Sequence, residues 1–478
     1  MGRLFRKLKT MPVGVKASIA FFISSLIANG ISYLVTPVYT RLLTPAQYGQ
    51  TNVFMTWLQV FGIIAMFCLS YGVFNNGMLD YPDKREEYSF SLLILSNIIT
   101  AGFTVLLITL YPLIKGFIGL DFPFIILMCV LFLFQPAYNF WVAKQRYEYK
   151  YKSTFFWAVA CAVLSPGVAL LCLLTTEDKL YARIFGAEGA LVAIYIGFYI
   201  YLGIKGKFRL KIKYWKAALA FNIPLIPHYL STYLLANSDK LMISYLIDNT
   251  ATAFYSVAYT VAAVATIVWN AANASLVPFT YENCKKGNYS AISKVTLPII
   301  SLFAVVCIIV ILLAPEVVSI MATSEYKESI YVIPPIVGGV FFQVQYYIYA
   351  NIVYYFKKPK YIMFASVAAV TLNLVLNYIF IPIYGYVAAA YTTLACYLIQ
   401  AVMDYFAMRK VVKERVYNMS FIVILSVGVI AISLFSNLLY SFSIVRYIIL
   451  IALLAILVIF RKRIISIIKG MKRENTKE

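Results

Sequence analysis

The segment from Lys16 to Gln50 reads KASIAFFISSLIANGISYLVTPVYTRLLTPAQYGQ, a long apolar run seeded with Asn29, Ser32, Thr36 and Pro37 and closed by Tyr39, Arg41 and Tyr48-Gly49. Lipid offers no hydrogen-bond partner to an amide or a guanidinium, and a charge at the bilayer centre costs roughly 2.5–3.5 kcal/mol on the mild insertion scale. A membrane-spanning helix with this pattern turns its polar groups toward other helices or a wet cavity. The rest of the chain reads as the wall of that cavity.

Of the 478 residues, 62% are hydrophobic and 13% charged, which places the chain with polytopic membrane proteins. At about 20 apolar residues per spanning helix, nearly the whole length is consumed by spans. The expected class is all-α, with hydrophobic runs at 16–38, 50–74, 88–112, 117–142, 154–174, 187–204, 215–238, 250–278, 292–313, 329–356, 361–381, 386–408, 418–437 and 444–460. The basic segment Met1 to Lys9 precedes a run with no small-residue cleavage site, so the first span reads as uncleaved. The longest loops expected, near Thr175 to Gly186 and Pro315 to Glu328, leave no room for an external catalytic domain.

The net charge of +22 follows from topology. Short cytoplasmic loops collect Lys and Arg. With the N-terminus inside, only Arg41, Lys115, Lys179, Arg183, Lys240, Lys327 and Arg446 of the 41 basic residues fall at the outer side, and both termini are cytoplasmic. No basic stretch sits in a foldable soluble module, so nucleic acid is not an expected partner. Of the seven cysteines, none forms a CxxC pair, and one histidine exists to join them; neither a disulfide framework, a metal site nor a cofactor is expected.

An internal repeat is visible. Span 1 ends in Pro37, Tyr39 and Arg41-Leu42-Leu43, while span 7 carries Pro224, Pro227 and His228 and ends in Asp239-Lys240-Leu241-Met242. Phe185-Gly186-Ala187-Glu188-Gly189-Ala190 stands at span 6, and Tyr384-Gly385-Tyr386-Val387-Ala388-Ala389 at span 12. Each pair lies six helices apart, so the halves share one orientation, as in a parallel repeat about the membrane normal. The expected organisation is a six-helix bundle over 1–214, a second over 215–415, and two extra helices with a basic tail over 416–478.

The run Pro37 to Gly49, the run Asp239 to Ile243 with Tyr255-Ser256-Val257-Ala258-Tyr259, and the late run Asn373 to Asn377, Ile381-Pro382, Tyr384-Gly385 and Ala388-Ala389-Ala390 resemble the polysaccharide-transporter flippases of the MATE-like superfamily. The resemblance covers nearly the whole chain. It implies two bundles facing a central cavity and working by alternating access, without catalysis. It also implies the cargo, an oligosaccharide repeat unit on a polyprenyl diphosphate for O-antigen, capsule or exopolysaccharide synthesis, turned outward across the bilayer. A proton or sodium gradient as energy source, a polysaccharide polymerase and chain-length regulator as partners, a single-chain transporter and a bacterial inner membrane are implied with it.

Several residues carry two readings. Arg41 and Lys240, at matching places of the repeat, either snorkel to the outer interface or face the cavity and attract a diphosphate, Arg41 as a planar fork and Lys240 as a point charge. Asp239 is either a boundary carboxylate or an ion-coupling group. His228, beside Pro224 and Pro227, either bonds a neighbouring helix or couples protons. The amides Gln135 and Asn139, Asn270 and Asn273, Asn373 and Asn377 lie at helical spacing and serve either interhelical hydrogen bonds or sugar hydroxyls. Asn29, Tyr33, Asn270, Asn373 and Asn377 join Arg41 and Lys240 as substrate-facing candidates, with Tyr229 offering a further ring. Asp404 reads as an interfacial charge that balances the basic stretch from Arg409.

Other classes fit less well. No GxxxxGK[ST] phosphate loop occurs, against an ATP-driven pump. An embedded polymerase or acyltransferase needs a positioned acid, base or metal, which one histidine and few intramembrane carboxylates supply poorly. A multidrug or metabolite exporter and a peptidoglycan-precursor flippase are the nearer rivals; cation exporters favour an acidic cavity, and here Arg41 and Lys240 stand instead.

Overall fold

The computed structural model describes residues 13–455, 457 and 459, and every regular element among them is a helix. The basic segment Met1 to Lys9, the last part of the run at 444–460 and the basic tail lie outside the described residues. In chain order the helices are α1 (Val13–Leu42), α2 (Pro45–Ala65), α3 (Gly72–Asp80), α4 (Arg85–Ile118), α5 (Phe122–Tyr147), α6 (Tyr151–Thr175), α7 (Lys179–Lys205), α8 (Ile212–Asn222), α9 (Ile226–Leu246), α10 (Asn249–Lys285), α11 (Tyr289–Leu312), α12 (Ala314–Met321), α13 (Ile333–Tyr355), α14 (Lys360–Tyr384), α15 (Tyr386–Val411), α16 (Met419–Leu439) and α17 (Ser443–Ala455). Ten of them are long and apolar enough to cross a membrane, which makes this a multi-pass membrane protein.

Local chemistry sets the ends. Thr44 caps α2 in a reciprocal capping box with Gln47, with Pro45 in the first turn, where a missing N–H is harmless. Asp178, Asp248, Asn288 and Asn418 each accept a first-turn N–H of α7, α10, α11 and α16. Gly385, at φ +73, turns α14 into α15 through backbone space that a side chain would disfavour.

Two expected loops are shorter than the sequence reading proposed. The Asp178 cap starts α7 at Lys179, and the Lys179 ammonium bonds the carbonyls of Leu173 (2.7 Å) and Thr176 (2.9 Å), so the stretch expected as loop up to Gly186 is largely helical. The other, near 315–328, is taken up by α12 and a 3₁₀ turn at Ser324–Tyr331.

Two expected spans are broken. Between α2 and α3 the backbone takes positive φ at Phe67 and Cys68. The carbonyls released there find side chains: Ala65 O accepts from Thr100 Oγ1 at 3.0 Å and Phe67 O from Asn222 Nδ2 at 2.9 Å. Such pairing is what lets irregular backbone survive at membrane depth. The second break is the 3₁₀ turn Ile223–Leu225 around Pro224, which divides α8 from α9 as the paired prolines predict.

The chain forms two compact units, Met1–Tyr233 and Leu234–Glu478, the boundary falling within α9. In the first unit, Phe74, Tyr88, Phe140, Trp141, Phe198 and Tyr214 form an aromatic core. Beside it the buried Lys144 ammonium is bonded to Glu86, and Tyr214 donates to Glu87 at 3.2 Å. Gly186 of α7 lies so close to α6 that a Cβ there would stand 2.9 Å from the Ala169 Cα. Small residues of this kind let membrane helices approach backbone to backbone.

In the second unit α13 is the centre, buried along almost its entire length. The C-terminal helices are integral to this unit: Gln345 of α13 donates to Ser426 of α16 at 2.7 Å, and Arg446 of α17 forks onto Glu316 of α12 while also bonding Leu312 O at 3.1 Å.

Candidate functional site

The most densely connected polar cluster lies in the second unit, where α9, α10, α14 and α15 bring buried groups together. Asp239 of α9 is fully buried. One carboxylate oxygen accepts from Asn377 Nδ2 at 2.7 Å; the other accepts from Thr393 Oγ1 at 2.8 Å and from the Tyr255 hydroxyl. Asn377 spends its second N–H on Asn373 Oδ1 (3.2 Å), and Asn373 in turn donates to Thr393 at 2.8 Å and accepts from Ser238 at 3.3 Å. Thr392 closes the cluster by donating to Asn377 Oδ1.

The local reasons are plain. Asn373 and Asn377 are one turn apart on α14, so both amides leave the same face. Thr393 comes from α15, and Tyr255 sits within the second turn of α10. Three donors on one carboxylate replace the water that its charge has lost, which is the condition for keeping such a group in an apolar interior. Every donor there except the Asn amides is a hydroxyl, able to turn and present its oxygen instead. The cluster therefore suits exchange between a hydrogen-bonded carboxylate and one that holds a cation.

Lys240, adjacent in sequence, points elsewhere, as the 100° step of a helix requires. It is half-buried, its ammonium 3.4 Å from Asn237 Oδ1 and 5.1 Å from the centre of the Tyr259 ring. Asn270 is exposed, whereas Asn273 accepts from Asn351 of α13 at 3.1 Å.

In the first unit, α1 carries Asn29 exposed and Tyr33 half-buried one turn later. Arg41 is exposed at the end of α1, and its guanidinium bonds Pro37 O at 2.7 Å. His228 is partly buried, and its neighbour Tyr229 meets Tyr71 edge to face at 5.6 Å between ring centres. Gln135 and Asn139 are half-buried on α5. Asp239, Asn373 and Asn377 are thus brought into direct contact, and the remaining candidates are not part of that cluster.

Some polar groups were given no site role from the sequence. Tyr255, quoted only as part of the motif that carries the resemblance, completes the Asp239 cluster with Thr392 and Thr393, to which only their presence in an otherwise apolar run pointed. In the first unit Glu188 is buried on α7 near Arg183, whose guanidinium lies 4.0 Å from the centre of the Tyr39 ring. Asp404, expected at an interface, is fully buried, because α15 continues beyond it and packs against α13 and α14.

A family model described as polysaccharide biosynthesis protein matches residues 15–284, more than half of the chain. The chain belongs to that family. Among curated relatives of this polysaccharide biosynthesis protein is the Lsg locus putative protein 1 of Haemophilus influenzae (strain KW20 / Rd), 22% identical over 367 residues that cover 74% of this chain and 87% of the relative. Among solved structures, the lipid II flippase MurJ in an inward closed conformation superposes with a TM-score of 0.66 at 16% identity, covering 94% of this chain and 100% of that one. An inward-facing multidrug resistance MATE family transporter of the MOP superfamily gives 0.61 at 12% identity, over 80% and 94%. A MOP superfamily transporter from Pyrococcus furiosus, described as having a binding pocket of reverse polarity, gives 0.57 at 12%, over 84% and 97%. At these identities the likeness establishes the MurJ/MATE fold, as the resemblance implied.

Proposed function

We propose that this polysaccharide biosynthesis protein is a flippase, moving a polyprenyl-diphosphate-linked oligosaccharide repeat unit from the cytoplasmic to the outer leaflet of a bacterial inner membrane. The observation that carries this reading is the conjunction of a polysaccharide biosynthesis family with a MurJ/MATE fold. A chain in which helices account for nearly all described residues offers a route through a bilayer and no separate domain for bond-forming chemistry.

In this reading Arg41 and Lys240 draw in the diphosphate, with Asn29, Tyr33 and Asn270 meeting the sugars, and the cargo alternates between the two sides. Asp239 is the ion-coupling group: a proton or a sodium ion reaching its carboxylate displaces the donors from Tyr255, Thr393 and Asn377 and so repacks α9 against α10, α14 and α15. Asn373 and Asn377 act there by holding the carboxylate instead of touching sugar. His228 is a second candidate for proton coupling, at the end of the break around Pro224.

The test is mass spectrometry of polyprenyl-linked glycans in cells lacking this protein, with the wild type and an Arg41→Ala, Lys240→Ala double variant restored in parallel. One complete repeat unit accumulating on its lipid, confined to the cytoplasmic leaflet and cleared by the wild type alone, supports the proposal. An unchanged lipid-linked pool together with a build-up of cationic drugs overturns it in favour of drug export.

A further inference from the structure

Asp404 is the one carboxylate in the second unit, among the described residues, that is buried with both oxygens lacking a hydrogen-bond partner. Its situation contrasts with that of Asp239, on α9 of the same unit, where three donors meet the charge. A buried carboxylate charge with neither donor nor cation is strongly disfavoured, and such a group persists in a membrane protein where it serves a transported or coupling ion.

The groups around it are specific. From α13, Tyr346 and Tyr354 lie within electrostatic reach, and their hydroxyls are hydrogen-bonded to each other. Tyr281 of α10 stands behind Tyr354. At the facing end of α14, Lys360 and Lys410 of α15 lie against the Tyr361 ring. Gln400, one turn before Asp404, donates to Ser366 of α14 at 3.2 Å. Arg409, one turn beyond, spends its guanidinium on the carbonyls of Lys413 and Glu414. None of these cations pairs with Asp404.

One turn further along α15 opens a polar cavity of about 930 Å³, lined by Tyr405, Met408 and Arg409 of that helix and by Asn288, Glu414 and Arg415. Met408 follows Asp404 by four residues and so stands over it on the same helix face, about 6 Å along the axis. The cavity lies at the end of the unit that the distribution of Lys and Arg assigns to the cytoplasm.

We propose that Asp404 is a proton-binding site, filled from this cavity and distinct from the Asp239 cluster. Hydronium in the cavity gives its proton to the carboxylate and leaves as water, so that the neutral acid is free to donate toward the Tyr346 and Tyr354 hydroxyls. Calcium and magnesium do not fit the surroundings: each takes about six or more oxygens, whereas here two carboxylate oxygens have the Tyr346 and Tyr354 phenols within electrostatic reach. Proton binding at Asp404 is independent of which cargo the chain carries.

Infrared difference spectroscopy of the full-length protein in lipid, stepped from alkaline to acid pH, tests this without reference to transport. The wild type is expected to gain carbonyl stretches of protonated buried carboxyls, and one component is lost in Asp404→Asn, retained in Asp239→Asn and in Glu188→Gln, and restored with a displaced midpoint in Asp404→Glu. A spectrum in Asp404→Asn identical to that of the wild type, or a wild type without a titrating buried band, overturns the proposal. Failure of Asp404→Glu to restore any titrating band also overturns it, since the loss in Asp404→Asn is then a consequence of altered folding.

Discussion

Asn377 donates its side-chain amide to the Asp239 carboxylate across 2.7 Å, joining two helices whose contacting residues are 138 positions apart in the chain. The bond is buried, and the same amide also holds Asn373. With Ser238 of α9 donating to the Asn373 that this amide holds, at 3.3 Å, the two asparagines together set the position of α14 against α9.

Asp239→Ala leaves the Asn377, Thr393 and Tyr255 donors without an acceptor, and an unsatisfied buried donor costs about 1–3 kcal/mol. Thermal unfolding of the purified variant should show that loss, and lipid-linked glycan should accumulate in cells carrying it. Asp239→Asn keeps the shape and the fold but removes the charge, so it should lie near wild type in stability while failing to clear the glycan. A stable, fully active Asp239→Asn variant would remove Asp239 from coupling.

Asn377→Leu breaks the bridge from the other side. It strands one oxygen of Asp239 and takes one partner each from Thr392 and Asn373, and should destabilise by about 1–3 kcal/mol. Asn377→Asp instead places a second carboxylate beside the first; like charges at this distance disfavour joint ionisation. Its activity relative to wild type is therefore expected to fall most at alkaline pH and to recover toward acid pH.

Arg446 anchors α17 through the fork onto Glu316 and the bond to Leu312 O. Arg446→Ala should raise hydrogen exchange in α12 and α17 while leaving the first unit unchanged. The loss is of order 1–3 kcal/mol, since the guanidinium is buried and the carboxylate only partly so. Arg446→Lys should not rescue it, because a point charge cannot serve the carboxylate and the carbonyl in a fixed plane.

Gly186→Ala tests the close approach of α6 and α7. The added methyl would meet backbone at 2.9 Å, which no rotamer change relieves, and overpacking of this kind costs typically 1–3 kcal/mol. Gly189→Ala, in open space on the same helix, should be neutral or slightly stabilising, so the pair measured by thermal unfolding separates packing from propensity.

The spans were legible because lipid imposes one pattern on every helix it surrounds. The Pro224 break was legible too, since proline writes its effect into local sequence. The break at Phe67 and Cys68 was not: neither residue favours positive φ, and what holds the turn open is Thr100 and Asn222, far away in the chain. The Asp239 cluster was half visible, as the Asn373 and Asn377 spacing marks a polar face, whereas Thr393 and Tyr255 join only through tertiary packing. Asp404 was read as an interfacial charge from its neighbours in sequence, and packing places it inside; Arg446 was counted only among the outer basic residues, and its fork onto Glu316 arises from packing.

Among the ten helices apolar enough to cross a membrane, α13 is the most buried and the least hydrophobic, while α11, more exposed, is the most hydrophobic. A helix solvated by protein has no need of lipid-facing side chains, and α13 has shed them for Gln343, Gln345 and Asn351, each bonded to another helix or its side chains. During synthesis, however, α13 emerges before α15, the helix it packs against most extensively. Its entry into the bilayer is thus conditional, and the order in which helices leave the ribosome becomes part of how this protein is built.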